Sequence, residues 1–169
     1  MAQALEASGR YRVLRRIEPR SQELDAPTKA HRRGLYVDVE TTGLDPTQDE
    51  IIELAMVPFT YSLEGEILTT GHPYNGLREP SRSIPAEITA LTGIDDNMVS
   101  GKSIDVDEIA SFAAPCALVI AHNAGFDRRF LEGFCQTFST KAWGCSMTQV
   151  DWTKEGFEGL KLVHIAASL

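Results

Sequence analysis

Residues 35–46 read LYVDVETTGLDP and open with an apolar run in which two carboxylates alternate with valines. Side chains two positions apart in a β-strand point to the same face, so Asp38 and Glu40 would project together, with Val37 and Val39 opposite. Two carboxylates this close raise the pKa of at least one of them unless a cation or a basic side chain lies between them. The pattern therefore predicts a strand that ends in an acidic site.

This run is the first of three strand-like segments. They cover residues 34–40, 51–62 and 66–79, and glycines and a proline separate them. The apolar positions of these segments partly alternate and partly run on, which is typical of antiparallel strands with one well-covered face. The first half of the chain is therefore predicted to form an antiparallel meander.

Helices and strands alternate in the rest of the chain. The first helix is bounded by Pro85 and Gly93, the usual residues at a helix start and end. Ser103 is the expected N-cap of the second. The predicted order is a helix at 85–93, a helix at 103–113, a buried strand at 116–123, a helix at 125–138 with Phe126, Phe130, Leu131 and Phe134 on one face, a strand at 142–147, and a last helix from Leu160. This order predicts an α/β fold with a mixed central sheet flanked by helices.

Charge is distributed unevenly along the 169 residues. Residues 1–33 contain eight basic and four acidic residues, whereas residues 34–169 contain eight basic and twenty acidic residues, a net charge of −12. We assign 1–33 to a basic extension and linker, and 34–169 to one folded domain. The extension could contact phosphates or stay solvated. An acidic domain binds nucleic acid poorly without bound cations, because phosphate affinity comes largely from Lys and Arg.

The cysteines and the absence of long apolar runs bear on location. No stretch approaches the roughly 20 apolar residues of a membrane span, and the first residues lack an apolar signal core. Cys116, Cys135 and Cys145 are odd in number and lie beside apolar residues. Reduced thiols in a cytoplasmic protein are the expected state.

A second polar cluster follows the predicted strand at 116–123. In VIAHNAGFDRRFLE, residues 119–132, His122 and Asn123 end the strand and Asp127 falls in the first helical turn. A first-turn aspartate can simply favour the helix dipole. However, open α/β sheets usually place their sites beyond strand ends, and two strand ends here carry acids.

The two motifs resemble a known family. VDVETTGLDP is similar to the first motif, and AHNAGFDRRFLE to the second, of the DEDD 3′-5′ exonuclease superfamily. The form HNAGFD favours its DEDDh subgroup, which includes the epsilon proofreading subunit of bacterial DNA polymerase III and ribonuclease T. The resemblance implies a ribonuclease H-like fold and phosphodiester hydrolysis with two Mg²⁺ or Mn²⁺ ions. It also implies that Asp38 bridges the ions, Glu40 holds one and Asp127 serves the other.

The resemblance also implies contacts to the terminal nucleotide. Thr41 and Thr42 would offer main-chain or hydroxyl contacts, and Leu91 of ITALTGI would wedge against the last bases. Phe126 would border the same pocket, although Leu91 and Phe126 could equally be core residues. His122 and Asn123 are also assigned to substrate binding, and His122 would shape the strand-to-helix turn.

The third motif of the family is not found in the sequence. It pairs a His with an Asp five residues later, and the chain ends at Leu169, inside the last predicted helix. His164 belongs to that helix pattern and no Asp follows it. We therefore expect the chain to be cut before this motif and to have little activity, since a general base typically contributes roughly 10²–10⁴ in rate.

The expected partner is a nucleic acid with a free 3′ end, either single-stranded DNA or a frayed duplex, with RNA left open. A DNA polymerase is a further expected partner. One alternative is a non-catalytic module that binds 3′ ends or docks on a replication partner. Another is that the carboxylates are structural and are paired with basic residues such as Arg128 and Arg129.

Overall fold

A computed structural model describes residues 7–8 and 30–166 of the chain. The chain divides into two compact units, Gln22–Val150 and a second formed by Met1–Ser21 with Asp151–Leu169. The basic extension predicted at 1–33 lies almost wholly outside the described residues, so its boundary stays a prediction. The first strand begins at His31, three residues before the predicted start.

The larger unit is built on a mixed sheet. Its strands are β1 (His31–Thr41), β2 (Ile51–Ser62), β3 (Ile67–Thr70), β4 (Tyr74–Leu77), β5 (Leu118–Ala121) and β6 (Ala142–Cys145). The order across the sheet is β3-β2-β1-β5-β6, and β4 also pairs with β2. The pairs formed by β1 to β4 are antiparallel, whereas β1, β5 and β6 run parallel. The predicted meander and mixed sheet are confirmed.

The third predicted strand, 66–79, is wrong as a single element. It forms β3 and β4, which are separated at residues 71–73. Pro73 has no N–H to donate to a strand ladder. The N–H of Gly71 donates to the Pro58 carbonyl at 2.7 Å, and a side chain at Gly71 would meet the Pro58 ring at 2.8 Å. The chain therefore stops pairing with β2 after β3 and pairs with it again as β4.

Helices connect and cover the strands. They are α1 (Ala86–Thr92), α2 (Asp96–Val99), α3 (Val106–Ala113), α4 (Ala124–Phe134) and a 3₁₀ helix (Gln136–Thr140). Helix α1 follows Pro85 and ends at Gly93, whose φ of 77° is left-handed, as its sequence predicts. Helix α2 was not predicted, and Asp95 caps it by accepting a hydrogen bond from the Met98 N–H.

The predicted cap of α3 is wrong. The N-cap is Asp105 and not Ser103, because the Asp105 carboxylate accepts hydrogen bonds from the N–H groups of Asp107 and Glu108, at 2.9 and 3.4 Å. We expect Asp105→Ala to lower the free energy of unfolding by about 1 kcal/mol, because two helix N–H groups lose their acceptor. Urea unfolding followed by circular dichroism measures this change. Ser103→Ala is the matched control, and an equal loss in that variant would contradict the assignment.

The main core lies on one face of the sheet. Leu35, Val37 and Val39 of β1 pack there with residues of α3, α4 and the 3₁₀ helix. On α4, Phe130 and Leu131 are buried as their spacing predicts, while Phe126 and Phe134 are partly buried against the same core. The opposite face of β1 therefore carries the even-numbered side chains, including both acids of the first motif.

A second, smaller core cluster holds the segment with α1 and α2 against β2. It comprises Ile52, Ile84, Ile94 and Val99, with Leu77 and Ile88 partly buried against it. Helix α1 has no fully buried residue of its own. The helix is therefore anchored by one partly covered side and leaves its other residues at the surface.

The cysteines agree in part with their expected core positions. Cys116 and Cys135 are buried and Cys145 is half-buried, and all three are free thiols. Burial raises the pKa of the Cys116 thiol, which keeps it protonated. In the part of the chain that the structure describes, no helix is long and apolar enough to cross a membrane. The cytoplasmic location stays a prediction.

The described part of the second unit is short. Trp152 and Phe157 contact each other edge to face, with ring centroids 5.5 Å apart. Helix α5 (Leu162–Ala166) follows, and Ile165 is its buried residue. The last predicted helix is confirmed here, beginning two residues later than expected, and it contains His164.

Candidate active site

The end of β1 presents two acids on the face opposite the main core. Val37 and Val39 are buried, whereas Asp38 is exposed and Glu40 is half-buried. The period-two alternation of the strand produces this arrangement, because apolar side chains at odd positions are fixed by the core. The predicted projection of Asp38 and Glu40 to one face is therefore confirmed.

A third acid reaches β1 from helix α4. Asp127 is only 3% exposed, and its Oδ1 accepts a hydrogen bond of 3.1 Å from the N–H of Val39. The pairing of β1 with β5 ends at Tyr36, so Val39 lies beyond the last paired residue on that side. Asp127 thus satisfies a strand N–H that no neighbouring strand reaches, and this bond holds it beside Asp38 and Glu40.

The three acids influence each other electrostatically. Burial, together with the charges of Asp38 and Glu40, raises the pKa of Asp127 to about 7, although two backbone N–H donors act to lower it. The pKa of Glu40 is also raised, first by desolvation and then by Asp38 and Glu53. Desolvation and Glu53 likewise raise the pKa of Asp38, while His122 lowers it. The like-charge effect expected from the sequence is therefore present across both motifs.

Among the described residues, Lys and Arg side chains do not neutralise this cluster. The Nε of Arg128 pairs with Glu132 at 2.7 Å, and the Nε of Arg129 donates to the Gly125 carbonyl at 3.0 Å. Over residues 30–166, no Lys or Arg forms an ion pair with Asp38, Glu40 or Asp127. The alternative in which Arg128 and Arg129 pair with the site acids is therefore wrong.

The acids have the chemistry of a magnesium or manganese site without a closed cage. Among the described residues, no three His, Cys, Asp or Glu side chains are already arranged to hold an ion. Carboxylate oxygens are nevertheless the ligands these hard cations prefer, and Mg²⁺ commonly keeps several waters beside one or two carboxylates. Mutually repelling carboxylates that form no ion pair with a described Lys or Arg fit such a hydrated cation.

The turn between β5 and α4 is shaped by the two residues predicted for it. Asn123 adopts a left-handed conformation, with φ of 75°, directly before α4. Asparagine tolerates this region better than most residues, which allows the sharp turn that aims the helix at β1. The Nδ1 of His122 lies 3.0 Å from the Ser146 hydroxyl. His122 therefore links this turn to the segment after β6.

The two threonines after Glu40 are engaged within their own loop. Thr41 is buried and its hydroxyl donates to the Gly43 carbonyl at 2.5 Å. The Thr42 hydroxyl accepts from the Glu50 N–H at 3.0 Å, and the Thr42 N–H donates to the Glu50 carbonyl at 2.9 Å. Main-chain and hydroxyl contacts to the substrate were both predicted. These bonds leave the two hydroxyls little freedom to contact a substrate.

The two apolar residues predicted for the nucleotide pocket differ in exposure. Leu91 on α1 is 79% exposed, so the alternative that placed it in the core is wrong. Phe126 packs against the core, and its ring centroid is 5.0 Å from that of Phe130. Leu91 is therefore available to a ligand, whereas Phe126 is largely committed to packing.

Glu53 also belongs to this region, and its place there was not predicted from the sequence. Glu53 of β2 lies directly opposite Glu40 in the antiparallel register, and its charge raises the pKa values of Asp38 and Glu40. Its position within IIELAM, between buried Ile52 and Leu54, marks it as facing away from the core. The alternation was visible in the sequence, but the partner of Glu53 across the strands was not.

An α/β sheet of this order, with acids meeting at the end of its first strand, defines a ribonuclease H-like fold. The profile of the RNase_T exonuclease family matches residues 35–155, and the chain belongs to this family. The resemblance to the DEDD exonucleases drawn from the two motifs is thereby confirmed.

Two relatives illustrate the match. The chain is 32% identical over 149 residues to the PolC-type DNA polymerase III of Thermotoga maritima. The matched stretch covers 86% of this chain and 10% of that protein. The chain is 38% identical over 97 residues to a DNA polymerase III subunit epsilon-like protein of Rhodobacter capsulatus, which covers 56% of this chain and 13% of that protein. The chain therefore spans only a small part of these relatives.

Solved structures share the fold. Exonuclease X, in complex with 5′ overhanging duplex DNA, is similar with a TM-score of 0.56 and 25% identity, over 80% of this chain and 72% of that one. Exonuclease I of E. coli, in complex with a dT13 oligonucleotide, has a TM-score of 0.58 at 17% identity, over 79% of this chain and 34% of that one. The second likeness supports the fold alone.

Proposed function

We propose that this domain is a metal-dependent 3′-5′ exonuclease that acts on DNA, of the kind that serves replication and repair by proofreading. The observation that carries the proposal is the meeting of Asp38, Glu40 and Asp127 at the end of β1, where no described Lys or Arg forms an ion pair with them. Membership of an exonuclease family, with DNA polymerase III relatives, supports the reaction class and the substrate.

Asp38, Glu40 and Asp127 would hold the cations, Mg²⁺ or Mn²⁺. A pair of such ions, when bound, activates a water and stabilises the leaving oxygen of an in-line displacement. The chain itself fixes where charge is placed: the Val39 N–H holds the Asp127 carboxylate, and the β1 pleat aims Asp38 and Glu40 to the same face. The acids also keep the free site strongly negative, so phosphate approaches only with cations present.

The substrate proposed is a DNA 3′ end, single-stranded or frayed, with a DNA polymerase as partner. Leu91 would contact the terminal bases, and Phe126 would border the same pocket. Thr41, Thr42, His122 and Asn123 would shape the surrounding loops. Because residues 34–169 have a net charge of −12, the contact with the phosphate backbone of the nucleic acid should extend over a short stretch. A panel of substrates distinguishes DNA from RNA as the substrate.

The test is degradation of a single-stranded DNA oligonucleotide labelled at its 5′ end. With Mn²⁺, slow stepwise shortening of the labelled strand is expected from this chain and faster shortening from a longer chain that carries the third motif, and EDTA should stop both. A phosphorothioate at the 3′-terminal linkage is the matched control and should slow the first step. Direct release of the 5′ nucleotide, or equal cleavage in EDTA, would overturn the proposal.

A panel of mismatched duplex and short RNA then ranks the substrates. The low activity expected for this chain stays a prediction, and the same assay on a longer chain that carries the third motif tests it. Metal-dependent binding of 3′ ends without hydrolysis in both chains would favour the non-catalytic module instead.

Leu91 offers a separate prediction for the substrate contact. Leu91→Ala should weaken binding of single-stranded DNA roughly tenfold, because a leucine surface covered by a base is lost. The free energy of unfolding should change by less than about 0.5 kcal/mol, since Leu91 is largely exposed. Fluorescence anisotropy with Ca²⁺ in place of Mg²⁺ measures affinity. Leu63→Ala, another exposed leucine in the β2–β3 turn, is the control, and an equal loss there would contradict the assignment.

A further inference from the structure

Glu40 and Glu53 form a cross-strand pair of like charges. They are directly opposite each other in the β1–β2 register, on the face that carries Asp38. Like charges placed directly opposite in an antiparallel pair are destabilising. Within residues 30–166, neither glutamate has a Lys or Arg ion-pair partner that would offset the repulsion. The pair is therefore a cost to the free fold, and a role in the fold alone does not explain it.

The Glu53 carboxylate is held in place from the other side. The Nδ2 of Asn75 on β4 donates to its Oε1 at 3.1 Å. Asn75 is opposite Ala55 in the β2–β4 ladder, two residue pairs away from Glu53 and its partner Leu77. An amide donor carries no charge, so it orients the Glu53 carboxylate without offsetting its repulsion from the acids of β1.

The influence of Glu53 on the site follows from its position. It lies one strand spacing from Glu40, on the face that carries Asp38. The negative charge of a carboxylate at this position attracts a divalent cation placed at the acids of β1, and such a cation carries twice the charge of a proton. Glu53 should therefore matter most for the ion.

We propose that Glu53, oriented by Asn75, is a positioning residue that acts through Asp38 and Glu40 to strengthen divalent-cation binding at the end of β1. The inference rests on the proposed exonuclease function and adds to it a residue from β2, which neither sequence motif contains. Glu53 needs no direct bond to the ion for this role, since its field reaches the site across one strand spacing.

The test compares Glu53→Gln with Glu53→Asp and with Glu64→Gln. Glutamine keeps an acceptor for Asn75 but removes the charge, whereas aspartate keeps the charge. Glu64 lies in the exposed β2–β3 turn beyond the far end of β2, so its replacement removes one charge away from the site. Isothermal titration with Mn²⁺ and thermal unfolding in EDTA are measured on the whole chain.

Glu53→Gln is expected to weaken Mn²⁺ binding roughly tenfold and to raise the melting temperature in EDTA. Glu53→Asp and Glu64→Gln should stay within about threefold of the wild-type affinity. A merely structural glutamate would instead lower the melting temperature in EDTA and leave the affinity unchanged, and either of these results would overturn the proposal.

The two proposals fail in different ways. If the wild-type chain does not bind Mn²⁺ at the end of β1, so that Asp38→Asn changes nothing, the proposed function itself is contradicted and the inference falls with it. If the wild type binds Mn²⁺ and Asp38→Asn abolishes it, while Glu53→Gln binds like the wild type, only the inference about Glu53 is overturned.

Discussion

Asp38→Asn is expected to weaken Mn²⁺ binding at least roughly 100-fold and to remove metal-dependent shortening of DNA. Even residues that merely support a metal ligand typically change affinity 10–100-fold, and Asp38 is proposed as a ligand itself. Asparagine retains the size of the side chain and one oxygen, so the loss isolates the charge. Titration calorimetry and the 5′-labelled oligonucleotide assay measure the two effects.

The control is Asp107→Asn, which makes the same change on the exposed first turn of α3. It should leave both metal affinity and cleavage unaltered. Far-ultraviolet circular dichroism should show that Asp38→Asn keeps its secondary structure, because Asp38 lies on the exposed face of β1. Unchanged Mn²⁺ affinity in a folded Asp38→Asn protein would refute the assignment of the site.

Asp127 predicts an unusual pH dependence of stability in EDTA. Its pKa is about 7 in the folded chain against an ordinary 3.8, so the native state binds the proton more tightly than the unfolded state. The contribution of Asp127 to stability is therefore present below pH 4 and lost as the pH rises towards 7 and beyond. Three pKa units correspond to a loss on the order of 4 kcal/mol.

Asp127→Asn should abolish most of this dependence. Asparagine keeps an oxygen for the Val39 N–H and has no charge to desolvate, so the variant should be more stable than the wild type at pH 8 in EDTA. Urea unfolding at pH 5 and pH 8 gives the comparison, with Asp107→Asn expected to follow the wild type. A wild-type chain that gains stability between pH 5 and pH 8, together with an Asp127→Asn variant that shows the same gain, would contradict the buried-acid argument.

Local patterns in the sequence were sufficient for much of the fold. The alternation in LYVDVE placed Asp38 and Glu40 on one face, because odd positions are apolar and even positions are not. Pro85 and Gly93 marked α1 correctly, since each has a backbone preference that is independent of tertiary contacts. Elements set by local preference were therefore predictable.

Features set by pairing between distant segments were not. The approach of Asp127 to Val39 depends on the β1–β5 pairing ending at Tyr36, and that register is fixed by packing rather than by either segment. Glu53 was missed for the same reason, because its partner Glu40 is decided by the β1–β2 register. Serine and aspartate are both good N-cap residues, so the sequence does not decide between Ser103 and Asp105. The cap depends on which residue begins α3.

The hydrogen bond between Asp127 and Val39 means that the three acids of the site differ in how freely they can be substituted. Under the proposed function, Asp38 and Glu40, which project from the sheet, are replaceable once cleavage is no longer selected, whereas position 127 must still supply an oxygen to a buried main-chain amide. In descendants that have abandoned nuclease activity, we therefore expect positions 38 and 40 to drift freely, while position 127 remains aspartate or becomes asparagine.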